Sequence, residues 1–165
     1  MNSYSRVYAA IDLDAVESNM RAMKDSLPPS TSMIGVVKAD AYGHGAVPIA
    51  RRLEELGADY LAVACLDEAV RLRRAGIGLP ILILGYTPPQ NTQALLDMDL
   101  TQTVGDLDMA RALSAAAAGT GKRLKIHIKA DTGMSRLGFF CSGGRPEQAA
   151  GEIAGAAALP GLEAE

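Results

Sequence analysis

The feature that most constrains this chain is a repeated alternation of short apolar runs with amphipathic stretches. Compact runs occur at residues 33–37 (MIGVV), 60–65 (YLAVAC), 81–84 (ILIL), 101–104 and 124–129 (LKIHIK). Successive runs start about 23 residues apart, the length of a strand, a helix and two short loops. The intervening segments at 45–56, 67–74, 90–98 and 107–118 carry helical periodicity, and a last helix is expected over 147–158. Strand–helix alternation of this kind implies a parallel sheet covered by helices. An earlier apolar run, 7–11, reads as a leading strand, followed by a helix over 14–27 with Val16, Met20, Met23 and Leu27 on one face. Asp67 and Asp106 are the expected N-caps of their helices, and Gly57, Gly76 and Gly119 the expected stops. The expected fold class is α/β, a parallel barrel of the (β/α)8 type. With 165 residues against the roughly 250 of a complete barrel, about five of eight strands are expected. A complete doubly wound domain is the alternative that this length alone would suit.

Composition removes several functions. Sixteen basic and nineteen acidic residues give a net charge of −3, which argues against nucleic acid as partner because phosphate neutralisation needs a basic surface. Cys65 and Cys141 lie far apart and make no disulfide framework, and His44 and His127 are too few for a histidine metal site. No apolar run approaches the about 20 residues needed to cross a bilayer, and Met1–Arg6 is polar, so no membrane partner and a cytoplasmic location are expected. Two phosphate motifs fail. The segment 119–122 (GTGK) has Ala116 and Arg123 where a P-loop needs glycine and a hydroxyl residue. The pair Gly43 and Gly45 is followed by Pro48 where a dinucleotide fingerprint needs a third glycine.

Chemistry concentrates at 38–45 (KADAYGHG), directly after the MIGVV strand. Active groups of parallel α/β folds sit at the C-terminal ends of strands. A lysine there, partly desolvated, holds the neutral amine that carbonyl chemistry requires. The residues alone leave open a plain strand-end lysine and an ordinary turn. His44 reads as a hydrogen-bonding residue at a helix start, His127 as a core or helix-facing residue, and Met134 as loop packing.

Three blocks together resemble alanine racemases: VVKADAYGHG (36–45), HIKADTGMSRLGF (127–139) and RVYAAIDLDAVESNM (6–20). They occur in the family's order and spacing. The resemblance implies a pyridoxal 5'-phosphate enzyme that interconverts L- and D-alanine and so supplies D-alanine to the cell wall. It assigns Lys38 as the lysine that holds the cofactor and moves one α-proton, and Tyr42 as a contact of the cofactor phosphate. It assigns Arg136 to the cofactor's phenolic oxygen and the substrate carboxylate. Lys129 matches a lysine that many members carbamylate and use to orient that arginine; an anion there would suit a charge-assisted pair with Arg136. The resemblance also implies a homodimer, with the second proton-moving group, a tyrosine, coming from the partner's C-terminal β-domain. The chain is thus expected to be the N-terminal part of the barrel without that β-domain, and to be inactive by itself. The segments GYTPP (85–89) and DLTQTV (99–104) are similar to serine/alanine racemases, which leaves serine open as substrate. A non-catalytic pyridoxal-phosphate carrier with the same barrel and lysine is the remaining alternative.

Overall fold

The structure, a computed structural model, describes residues 7–142 and 146–165. The polar start Met1–Arg6 lies outside the described residues. The elements in order are α1 (Leu13–Asp25), β1 (Ile34–Val36), a short turn α2 (Lys38–Tyr42), α3 (Ala46–Glu55), β2 (Tyr60–Val63), α4 (Leu66–Arg74) and β3 (Ile81–Ile83). Then come α5 (Thr92–Asp97), β4 (Leu100–Val104), α6 (Leu107–Ala118), β5 (Leu124–Ile128), β6 (Ala130–Asp131), β7 (Phe139–Phe140), α7 (Pro146–Ala157) and β8 (Leu162–Ala164). The main sheet has the order β1-β2-β3-β4-β5-β8, and every neighbouring pair is parallel.

The expected parallel barrel is thus present as an open arc, with one strand more than the five expected. The closing segment LPGLEAE already contributes that strand, pairing Leu124 with Leu162 and Ile126 with Ala164. The arc is strongly curved. In a flat sheet β2 and β8 would lie four strand spacings, about 19 Å, apart. Yet the Tyr60 hydroxyl on β2 donates to Glu165 Oε2, just past β8, at 3.0 Å, which only a curled sheet permits.

Alternation along the strands separates two faces. Leu61, Val63, Ile81, Ile83, Leu100, Val104, Leu124, Ile126 and Leu162 are buried and form the core with the helices. The same core takes Leu72 from α4 and Leu113 from α6. Gly35 lets α3 lie close to β1, because a Cβ there would sit 2.5 Å from Leu53 Cδ1. The concave face is mixed: Ile34, Val36, Ala62 and Leu82 share it with Tyr60, Thr101, Thr103 and His127. Tyr60 and Thr101 hydroxyls meet at 2.5 Å, and both reach Glu165. Burial pushes the Tyr60 phenol above its ordinary value, so it stays a neutral donor.

Polar side chains tie the helices to loops. Asp12 caps α1 by accepting from the amides of Asp14 and Ala15. Glu17 of α1 pairs with Arg52 of α3. Arg73 donates to the carbonyls of Ile77, Leu79, Met98 and Asp99, so one guanidinium closes both the α4–β3 loop and the C-terminal end of α5.

Four expectations are corrected. The run 7–11 forms no strand: Val7 is 86% and Tyr8 72% exposed, so the alternating burial that would stabilise a strand is not realised. Asp67 is not the cap of α4, because the helix begins earlier, with Cys65 at the N-cap and Asp67 inside the first turn. His127 is neither core nor helix-facing. Its neighbours Leu124 and Ile126 take the helix side, leaving it on the concave face, its ring centroid 5.6 Å from that of Tyr60 and its Nε2 3.9 Å from Glu165. Met134 packs on nothing substantial; it is 74% exposed at a loop tip. Asp106 does cap α6, accepting from Met109 N at 2.7 Å, and the GTGK segment is the expected helix end and turn.

Candidate active site

All four residues singled out by sequence lie beyond the C-terminal ends of strands, but in two groups. Lys38 and Tyr42 follow β1; Lys129 and Arg136 follow β5. Lys38 continues the parity of Ile34 and Val36, opposite the buried Val37. Its Nζ lies 6.0 Å from the centroid of the Tyr42 ring, which is 63% exposed.

The backbone that presents Lys38 is unusual. Ala39, Asp40, Ala41 and Tyr42 all have φ between 51° and 54°, and Gly43 follows at 88°. This is one turn of left-handed helix made of non-glycine residues, closed by Ala41 N to Val37 O at 2.9 Å and Gly45 N to Asp40 O at 2.8 Å. Each such residue costs about 1–2 kcal/mol, so the turn stands only because its surroundings hold it. The His44 ring nitrogen is 2.9 Å from Ala41 O, so its hydrogen bond goes back into the turn and not to the start of α3, which no side chain caps. Asp40 accepts from Ala46 N at 2.8 Å and pairs with Arg71 at 3.0 Å.

The second group is organised by a residue that the sequence reading quoted but did not single out. Asp131 is buried, and its carboxylate accepts from the amides of Gly133 (3.0 Å), Ser135 (3.0 Å) and Arg136 (2.9 Å). This folds the loop 131–138 and sets the start of the Arg136 side chain. An aspartate followed by glycine two residues on was the available sign of such a turn. β6 and β7 then staple the loop: Phe139 N donates to Lys129 O at 2.8 Å and Cys141 N to Asp131 O at 2.9 Å.

Those backbone amides, Ser135 and Gly133 foremost, hold the Asp131 carboxyl below its ordinary value. A depressed folded-state pKa adds stability above the unfolded-state value, lost as pH falls through the folded one. Asp131→Asn is therefore expected to melt below the parent at pH 7, with the gap closing as pH drops below about 4. Thermal melts from pH 7 to pH 3 measure it, and a pH-independent gap would refute the role.

Lys129, Arg136, Thr103, Asp106, Tyr86 and Leu84 line one cleft of about 400 Å3. The Thr103 hydroxyl in its wall is buried and has no hydrogen-bond partner. A guanidinium, an ammonium group and an unpaired hydroxyl around a cleft suit a ligand with anionic and hydroxyl oxygens, and a strand-end amine at Lys38 suits an aldehyde. These are the donor types that an anionic aldehyde such as pyridoxal phosphate requires, although Lys38 and Tyr42 stand outside the cleft's lining, which also carries the carboxylates of Asp106 and Asp131. Among the described residues no group of three or more histidine, cysteine or carboxylate side chains could hold a metal, and no helix is long and apolar enough to cross a membrane.

Comparison with known proteins agrees with this arrangement. Residues 11–165 match the family described as alanine racemase, N-terminal domain. An alanine racemase of Desulfovibrio desulfuricans is 49% identical over 166 residues, covering 100% of this chain and 43% of its own length. The chain thus spans less than half of that relative. An alanine racemase of Clostridium difficile, solved in complex with cycloserine, superposes with a TM-score of 0.87 at 39% identity, over 93% of this chain and 41% of its own. A histidine racemase of Leuconostoc mesenteroides superposes with a TM-score of 0.79 at 30% identity, over 91% and 39%. A parallel arc presenting Lys38, Lys129 and Arg136 at its strand ends, matched along nearly its whole length, places this chain in the alanine racemase N-terminal domain family.

Proposed function

We propose that the protein to which these residues belong racemises a small α-amino acid, alanine first, with pyridoxal phosphate as cofactor. The 49% identity to a curated alanine racemase across the whole of this chain carries the reading. When bound, the cofactor supplies an electron sink for negative charge at the amino-acid α-carbon. In this reading Lys38 holds it covalently and moves a proton on one face of the α-carbon, at Nζ. Tyr42 contacts its phosphate, and Arg136 its ring oxygen and the substrate carboxylate. Lys129, carbamylated or not, orients Arg136. Inversion needs a second proton-moving group on the opposite face, assigned here to a tyrosine of a C-terminal β-domain in the partner of a cytoplasmic homodimer.

The existence of a histidine racemase on a closely similar barrel supports a second substrate reading, in which side-chain choice lies outside the arc. The test offers the full reading frame, loaded with pyridoxal phosphate, L-alanine, L-serine and L-histidine. Chiral chromatography is expected to show D-alanine formed fastest. Bound cofactor without exchange of any α-hydrogen for solvent deuterium would make the protein a carrier and sink the racemase reading.

A further inference from the structure

The left-handed turn that presents Lys38 is held from the neighbouring βα unit, and one carboxylate there ties down the turn's first peptide. Glu68, in the first turn of α4, accepts from Ala39 N at 2.8 Å through Oε1 and from Ala64 N at 2.7 Å through Oε2. Ala39 is the residue directly after Lys38 and the first of the four with positive φ. Ala64 directly follows β2. Glu68 therefore bridges the C-terminal ends of β1 and β2 with one rigid, two-oxygen group. Arg71, three residues on and thus on the same face of α4, pairs with Asp40. Asp40 in turn accepts from Ala46 N, where α3 begins.

We propose that Glu68 is a positioning residue for Lys38: it fixes the left-handed turn, and through it the direction in which the amine is presented. The physical reason is the combination of strain and satisfaction. A run of non-glycine residues at positive φ relaxes toward ordinary backbone unless its amides are held in place. A carboxylate is the strongest neutral-pH acceptor for two amides at once, and removing it leaves both without their partner. Asp40 and Arg71 alone hold the middle of the turn but not the peptide that joins it to Lys38.

The inference rests on the proposed role of Lys38, and its test separates the two. In the full reading frame, Glu68→Ala and Glu68→Gln are compared with the parent and with Lys38→Ala. Four readings are taken: hydrogen exchange of the peptide spanning residues 38–44, cofactor affinity, the pH at which the bound cofactor's visible absorption is half changed, and kcat and KM for alanine. Glu68→Ala is expected to speed exchange in that peptide, to weaken cofactor affinity about tenfold, and to shift the absorption midpoint. It should lower kcat with KM nearly unchanged. Glu68→Gln, which keeps one acceptor oxygen, should recover part of each. If Glu68→Ala does not fold, Glu68→Gln carries the same readings. A variant that only melts earlier, with exchange, affinity, midpoint and kcat as in the parent, makes Glu68 a plain helix-start residue and overturns the proposal. If the parent itself fixes no cofactor on Lys38, the racemase reading fails, and the exchange of residues 38–44 alone decides whether Glu68 holds the turn.

Discussion

Lys38→Ala is expected to abolish borohydride-fixed attachment of pyridoxal phosphate and to lower racemisation by about 10^4-fold or more, with the fold intact. The size follows from two roles placed on one nitrogen. In the proposed function it anchors the cofactor covalently and moves a proton on one face of the α-carbon. The fold should barely notice, because Lys38 ends its strand on the concave side while the adjacent Val37, 1% exposed, does the packing. Melting should change by no more than about 0.5 kcal/mol, the range of substitutions away from caps and cores. The rival anchor is Lys129, also beyond a strand end and lining the cleft with Arg136. Mass mapping of the reduced protein separates them: the label is expected on the peptide containing residue 38 and absent from Lys38→Ala. A label persisting at Lys129, or racemisation that survives the substitution, would remove Lys38 from the chemistry.

The strands were legible in the sequence because their helix-facing residues are apolar and buried, and most of the residues between them are apolar as well. The runs 33–37, 60–65, 81–84 and 124–129 each contain a strand of the main sheet, and 101–104 covers all of β4 but its first residue, Leu100. The run 7–11 looks the same locally but forms no strand, since a run of apolar residues says nothing about which neighbour will bury it. Motifs singled out Lys38 and Arg136, and the structure sets both beyond strand ends. What holds them was not. Glu68 sits 30 residues from Lys38 in a helix whose pattern shows only amphipathicity, and its two hydrogen bonds depend on α4 starting at Leu66 rather than after Asp67. The left-handed turn was equally hidden, because alanine and tyrosine give no sign of positive φ. The cluster on the concave face escaped for a related reason: Tyr60, Thr101 and Glu165 meet only because the sheet curls.

The Arg136 side of the site depends on a glycine, and Gly138→Ala should expose that dependence. Gly138 has φ 128°, where an L side chain is strained. An added Cβ would also lie 2.8 Å from Asp131 N and 2.8 Å from Lys129 O, both backbone atoms that no rotamer change can move aside. Retreat is blocked on the other side as well: a Cβ on Gly105, at the end of β4, would lie 2.9 Å from Gly138 N, so these two chains already run in close contact. The loop must therefore lift, breaking the Phe139 N to Lys129 O bond that joins β7 to β6. Strain and the lost bond together are expected to cost about 3 kcal/mol, read as an earlier melt. Displacement of Arg136 by about 1 Å is expected to lower kcat/KM for alanine about 10^2-fold. Attachment at Lys38 should persist, since β1 and its turn share no hydrogen bond with this loop among those of the described residues. That contrast is the discriminating result. If Gly138→Ala removed cofactor attachment as completely as Lys38→Ala, the variant would be disrupting the arc as a whole, and the assignment of the 131–138 loop to substrate and ring-oxygen contacts would have to be abandoned.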